Sequence, residues 1–313
     1  MPKSKPVVET IDLTKAYDNT TVVDGLNLAI PEGEIFGFLG PNGAGKTTTI
    51  LMLLGLTEPT SGTARICGHN SNRDPLEVKR ISGYVPERIG FYEDLTAVYN
   101  LTYTARLNGL SADVTTRRID EALGIVGLAD VSRREVGTYS RGMKQRLAIA
   151  DVLIKMPRVA FLDEPTSGID PEGVVEVLDL ISRIAKEQKM TIVLSSHQLA
   201  HVQRICSRVG IMSKGKLVVD GPLDKLGRDA LAGGKFVIEV QLTEVTSDII
   251  GCIKKVDGVT AVKRSDDTLL VSCNEDLRPQ IARVIVEANG LLVQMKIQSY
   301  ALEDIYMKYF TEG

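Results

Sequence analysis

The segment Gly40-Pro41-Asn42-Gly43-Ala44-Gly45-Lys46-Thr47 restricts the fold of this chain more than any other stretch. It satisfies the pattern GxxxxGK[ST], and it sits in the context that pattern requires. The apolar strand Ile35-Phe36-Gly37-Phe38-Leu39 precedes it and a helix beginning near Lys46 follows. Glycines let the backbone curl until successive N–H groups converge on one point. A helix N-terminus adds about half a positive charge there, so the turn suits phosphate oxygens. Gly40 through Gly45 form the cradle, and Lys46 reaches the β- and γ-phosphates. Thr47 offers its hydroxyl to Mg²⁺, and Thr48 donates to a nearer phosphate. The loop therefore implies a nucleotide and Mg²⁺.

A second apolar strand, Val159–Leu162, delivers Asp163-Glu164 to its end. Beside a phosphate cradle, Asp163 is placed to hold Mg²⁺ and Glu164 to polarise an attacking water. Without the upstream loop the same pair would read as a solvated helix cap. Thr191-Ile192-Val193-Leu194 is a third buried strand. Short apolar runs alternate with amphipathic helices from Val7 to about Asp220, as in an α/β domain. The stretch from about Pro86 to Pro157 has helical spacing and no clear strand, so it reads as a helical insertion.

Between loop and carboxylates lies Tyr139-Ser140-Arg141-Gly142-Met143-Lys144-Gln145-Arg146, opening a helix. Alone, Ser-x-Gly before a helix is a common cap. In this setting it resembles the signature sequence of the ATP-binding cassette (ABC) family, whose usual form is Leu-Ser-Gly-Gly-Gln. Asp163-Glu164-Pro165-Thr166-Ser167-Gly168-Ile169-Asp170 is similar to the family's second phosphate motif running into its dimer-contact loop. Ser196-His197 is similar to the switch-histidine element. Tyr17, followed by Val22, resembles the adenine clamp. The resemblance covers about residues 7–220.

The resemblance implies ATP and Mg²⁺ as ligands, with Glu164 and His197 catalytic. Tyr17, Val22, the loop residues, Ser140, Gly142, Asp163 and Asp170 are then implied to contact the nucleotide. Arg141 and Met143 depart from the common signature in the manner of an exporter-like branch. Glu87, in Gly83-Tyr84-Val85-Pro86-Glu87, stands where most members carry Gln; its carboxylate can ligate Mg²⁺ but adds negative charge beside Asp163 and Glu164. His197 and His201 have a helical metal spacing, but Gln198 follows His197 where a zinc protease needs Glu. His201 is left to surface or helix packing.

The family closes head to tail, so each ATP lies between one subunit's phosphate loop and the other's signature helix. The resemblance therefore implies a second copy of the chain as partner. No run approaches the roughly 18 apolar residues of a spanning helix, and Met1–Pro6 has no apolar signal region behind it. A separate integral-membrane transporter subunit is then implied, with this chain peripheral at the cytoplasmic face of the cell membrane. Phe91 and Tyr92 fit either a docking patch for that subunit or core packing of the insertion.

Two rival functions are weaker. A soluble cassette acting in translation or DNA repair would carry a second cassette, a long coiled coil or a zinc module. With 37 Lys+Arg against 40 Asp+Glu, the net charge of −3 supplies no basic footprint for nucleic acid. A small-molecule kinase would leave the signature segment and His197 unexplained.

Gly221-Pro222 and Gly233-Gly234 bracket a segment read as a linker, residues 221–234. Beyond it, 235–313 predicts βαββαβ, a ferredoxin-like order. Phe236, Ile238, Val240 and Leu242 alternate as one strand face, Ser247 is placed to cap a helix, and a hairpin turns at Ser265-Asp266-Asp267. A sensor and an inert support both fit this tail. The expected fold class is α/β: a P-loop NTPase cassette, 1–220, with a helical subdomain at about 86–157, then a small α+β accessory domain. Cys67, Cys206, Cys252 and Cys273 form no CxxC pair and read as small hydrophobes in a reducing compartment.

Overall fold

A computed structural model of the protein describes residues 6–231, 233–298 and 301–311. The N-terminal residues 1–5 used in the reading of Met1–Pro6 lie outside that range. The chain divides into two compact units between Asp220 and Gly221.

The first unit contains two sheets. Strands β1 (Val8–Tyr17) and β2 (Thr20–Ile30) pair antiparallel, and with β4 (Ser61–Ile66) and β5 (His69–Asn70) they make a sheet in the order β2-β1-β4-β5. The second sheet combines β3 (Ile35–Leu39), β6 (Ser82–Val85), β7 (Val159–Asp163), β8 (Thr191–Ser196), β9 (Arg208–Ser213) and β10 (Lys216–Pro222). Its order is β10-β9-β3-β8-β7-β6. Every residue of β7 and β8 is buried, which explains why they read as unbroken apolar runs: parallel strands are covered on both faces. β3, β8, β7 and β6 run parallel side by side, with Leu39 opposite Ser196 and Asp163 opposite Ser195. Their carboxyl ends therefore share one rim, where open α/β sheets place their ligands.

Helix α1 (Lys46–Leu53) leaves β3 through the glycine loop, and α2 (Pro75–Ile81) leads into β6. Between β6 and β7 stand α3 (Ala97–Leu107), α4 (Ala112–Ile125) and α5 (Arg141–Leu153), with no strand among the described residues. Thr96 caps α3 by accepting from the Tyr99 N–H. Helix α5 also packs on β6, where a Cβ on Gly83 would fall 2.2 Å from Val152 Cγ1. Helices α6 (Pro171–Gln188) and α7 (Leu199–Ile205) follow β7 and β8.

In the second unit, the segment read as a linker is largely helical: α8 spans Leu223–Leu231 and packs against α11 (Leu302–Thr311), with Leu226 buried. The two glycine-bearing pairs are punctuation rather than slack chain. Gly221-Pro222 ends β10, and the Gly234 N–H closes on the Arg228 carbonyl after α8.

β11 (Phe236–Leu242), α9 (Ser247–Lys254), β12 (Val259–Ser265), β13 (Thr268–Cys273), α10 (Arg278–Glu287) and β14 (Leu292–Ile297) complete the unit. The sheet order β12-β13-β11-β14 is that of the βαββαβ arrangement. Ile238, Val240 and Leu242 on β11 share a core with Val271 of β13, Ile249 and Ile253 of α9, and Ile281 and Ile285 of α10. Thr246, one residue before the expected Ser247, caps α9 by accepting from the Ile249 N–H.

Candidate functional site

The glycine loop has its shape because only glycine fits it. Gly40 has φ 154° and a Cβ there would lie 2.5 Å from the Met212 carbonyl; Gly45 has φ 102° and would meet the Val22 carbonyl at 2.7 Å. The loop opens on a cleft of about 270 Å³ lined by Val22, Asn42–Thr48, Glu87, Glu164 and His197. Lys46, buried at the base, donates from Nζ to the carbonyls of Gly40 (2.7 Å) and Pro41 (3.2 Å). Burial lowers its pKa, while Glu164, Asp163 and Glu87 oppose that shift.

The neighbouring strands supply the anionic side. Thr47 Oγ1 donates to Asp163 Oδ2 at 2.8 Å, joining the start of α1 to the end of β7. Ser195 Oγ, from β8, donates to the other oxygen of Asp163, so the carboxylate is held at both oxygens. Glu164 has φ 48°, an uncommon backbone for a non-glycine residue. Its N–H is fixed by the Ser195 carbonyl (3.1 Å) and hydroxyl (3.3 Å). One carboxylate oxygen, Oε2, accepts from His197 Nδ1 at 2.9 Å. The other, Oε1, is buried with no hydrogen bond and lies 3.8 Å from Lys46 Nζ. Tyr84 on β6 stays a neutral phenol, its pKa pushed up to about 12 by burial and by Asp163 and Glu87.

The arrangement combines a phosphate-sized concavity, an ammonium, a hydroxyl–carboxylate pair and a carboxylate with one free oxygen. Thr47 and Asp163 present oxygen atoms, the donor type a hard divalent cation takes. Among the described residues there is no cluster of three or more His, Cys, Asp or Glu that could hold a metal by itself. Any ion here would need further oxygens, such as those of phosphate.

Of the residues expected at the site, Val22, Asn42–Thr48, Glu87, Glu164 and His197 line the cleft, and Asp163 joins them through Thr47. Gly40, Pro41, Tyr17, Ser140, Gly142 and Asp170 are not part of its lining. Tyr17 is exposed with Lys15 Nζ 4.7 Å from its ring centre. Ser140 caps α5, accepting from the Met143 N–H, and Asp170 caps α6, accepting from the Gly173 N–H. A Cβ on Gly142 would lie 3.6 Å from Ile169 Cγ2, an ordinary contact, so packing within this chain does not demand glycine there.

His201 is fastened by Nδ1 to Thr166 Oγ1 at 3.0 Å; burial lowers its pKa. Ser195 was not expected. The only signal for it was its place one residue before Ser196, on a strand that ends beside β7.

A family model described as ABC transporter matches residues 23–167. The bacitracin transport ATP-binding protein BcrA of Bacillus licheniformis is 38% identical, over 98% of this chain and 98% of its own length. The daunorubicin/doxorubicin resistance ATP-binding protein DrrA of Streptomyces peucetius is 33% identical, over 94% of this chain and 88% of its own. The solved structure of an ATP binding subunit of an ABC transporter superposes with a TM-score of 0.63 at 32% identity, over 71% of this chain and 92% of that one.

Proposed function

The chain belongs to the ABC transporter family of ATP-binding subunits, and from that premise we propose which of its residues bind and hydrolyse ATP. As such a subunit it is an ATPase using Mg²⁺, dimerises, and drives a separate membrane subunit in an exporter-like system. No helix among the described residues is long and apolar enough to cross a membrane. We place the subunit at the cytoplasmic face of the membrane, peripheral through its partner. The relatives named for bacitracin transport and for daunorubicin/doxorubicin resistance support antibiotic export as its role.

The observation that carries the site assignment is the buried, unsatisfied Oε1 of Glu164 beside Lys46 and the glycine loop. ATP phosphates seat on the N–H groups of Asn42–Thr48, with Lys46 turning from the Gly40 and Pro41 carbonyls to the β- and γ-phosphates. Thr47, Asp163 and the exposed Glu87 are the oxygen donors that suit Mg²⁺, which when bound neutralises phosphate charge. Water attacks the γ-phosphorus, the bond to the β–γ bridging oxygen breaks, and Glu164 takes the water's proton through Oε1, giving ADP and phosphate. His197 Nδ1 holds Glu164 Oε2 at 2.9 Å, which leaves its other ring nitrogen for the γ-phosphate.

Tyr17 and Val22 hold the adenine side. Ser140, Gly142 and Asp170 serve the nucleotide of the second copy, which accounts for a glycine at 142 that its own chain does not require. Residues 1–220 form the ATPase domain with 86–157 as its helical subdomain, and 221–313, α8 included, the accessory domain. The membrane subunit docks on the exposed apolar ridge of Tyr92, Leu95, Tyr99, Tyr103 and Leu107. Tyr92 lies edge-on to Tyr103 there, with ring centres 5.6 Å apart.

Glu164→Gln tests the assignment. Removing a general base lowers turnover by about 10²–10⁴-fold, while the amide keeps the shape of the site. The variant should bind ATP and sediment as a stable dimer with it. A variant that stays monomeric with ATP, or that hydrolyses at the parent rate, refutes the assignment.

A further inference from the structure

The strand β8 ends on Ser195 and Ser196, and both are as buried as the apolar residues before them. A hydroxyl taken out of water costs free energy unless it is bonded. Ser196 meets that need locally, since its Oγ accepts from the Gln198 N–H two residues on, at 3.0 Å. Ser195 meets it across the sheet. Asp163 is its register partner on the parallel strand β7, so the two side chains stand on one face. The hydroxyl has one proton and an ionised carboxylate only accepts, so that proton goes to Asp163 Oδ1. A lone pair of the same oxygen takes the Glu164 N–H at 3.3 Å. One side chain thus serves both the carboxylate of Asp163 and the backbone of Glu164, whose φ of 48° is uncommon outside glycine.

We infer that Ser195 is a positioning residue for ATP hydrolysis: its hydroxyl fixes the rotation of the Asp163 carboxylate, so that Oδ2 stays on Thr47. This rests on the reading of Thr47 and Asp163 as oxygen donors to Mg²⁺. Asp163 is only 2% exposed, so bulk water does not replace a donor lost from Oδ1. Without the Ser195 proton the carboxylate satisfies Oδ1 by turning, and the 2.8 Å bond from Thr47 Oγ1 to Oδ2 is weakened. Groups that orient a metal-binding carboxylate in this way act on metal affinity through it. Glu164 is affected less, because its N–H keeps the Ser195 carbonyl at 3.1 Å. Joining the two strands does not need the hydroxyl, since the backbone ladder already pairs β7 with β8 from Val159 to Asp163. The serine is therefore matched to the carboxylate rather than to the sheet.

The test uses the full-length chain with ADP, which is not turned over. Calorimetry in EDTA reads nucleotide binding without metal. The EPR signal of Mn²⁺, an ion that takes the same oxygen donors, reads metal binding to the chain–ADP complex. Ser195→Ala should bind ADP in EDTA as the parent does, yet lower Mn²⁺ affinity about tenfold or more. The Mg²⁺ concentration for half-maximal ATP hydrolysis should rise to match. Ser195→Cys fills the space with a poor donor and should resemble Ser195→Ala, whereas Ser195→Thr keeps a hydroxyl and should recover most of the affinity. Thr191→Val is the control for losing a buried hydroxyl from β8. Thr191 Oγ1 accepts from the Gly33 N–H at 2.8 Å, at the strand's other end, and its loss should lower stability alone. Parental Mn²⁺ affinity in both Ser195→Ala and Ser195→Cys, or an equal loss in Thr191→Val, overturns the assignment. Asp163→Asn separates the two readings. If it keeps parental Mn²⁺ affinity, the metal role of Asp163 fails and that of Ser195 with it. If it loses that affinity while Ser195→Ala does not, the site reading stands and Ser195 only packs.

Discussion

At the scale of residues, the glycine loop and the carboxylates were legible because their chemistry is written in adjacent positions. Lys46 must follow Gly45, and Asp163 must end an apolar strand. Ser195 was hidden for the opposite reason. Its hydroxyl matters only through Asp163 and Glu164, which reach it across a strand pairing rather than along the chain. His201 was read as packing, and the structure gives it a defined bond to Thr166, two residues beyond Glu164. That bond permits a pH prediction. Burial lowers the His201 pKa below the ordinary imidazole value of 6.5. As pH falls between 6.5 and the folded-state value, the unfolded chain takes up a proton that the folded chain does not. Stability therefore declines with acidification through that window and levels off below it. Urea unfolding at a series of pH values below 6.5 should show the slope in the parent and its loss in His201→Gln. An unchanged slope would assign the dependence elsewhere.

At the scale of elements, the buried parallel strands were readable from continuous apolar runs, and the alternation of β11 gave the tail's sheet its inward face. One element misleads, and a second holds more than its sequence reading contains. α8 lies between glycine-bearing pairs, and those pairs read as a linker although the segment between them is helical. α3 carries Tyr99, Tyr103 and Leu107 at successive four-residue steps, a spacing that ordinarily marks a core face. Here Ala97, Leu101 and Ala105 fill the core instead, and the aromatic stripe faces outward. Tyr92 is therefore one end of a longer exposed stripe, while Phe91 is half-buried. Exposed aromatics of this kind are typical interface anchors, and losing one costs about 2 kcal/mol or more of binding. Tyr99→Ala with Tyr103→Ala should abolish co-purification with the membrane subunit yet leave basal ATP hydrolysis by the isolated chain unchanged. Retained co-purification would exclude the ridge as the docking surface.

At the scale of the whole molecule, the two-domain reading rests on the glycine-bearing pairs at 221–234 and on the hydrophobic pattern that restarts near Phe236. The structure has two compact units meeting at Asp220–Gly221, each with its own core. One core gathers Phe36, Phe38, Ile50 and Phe161 near the glycine loop; the other gathers Ile238, Val271 and Ile281. What composition could not reveal is how far a defect in one is felt in the other. Separate cores imply separate cooperative units, because a cavity weakens only the packing that surrounds it. Ile281 is fully buried in the second core, so Ile281→Ala should cost that unit about 2–5 kcal/mol. Native-state hydrogen exchange should then show protection falling in β11, β13 and α10 while β3, β7 and β8 keep theirs. ATP hydrolysis should be retained at temperatures where the tail has already opened. If β7 and β8 lose protection in step with β11, the two cores unfold as one, and the tail is a structural part of the ATPase rather than an accessory to it.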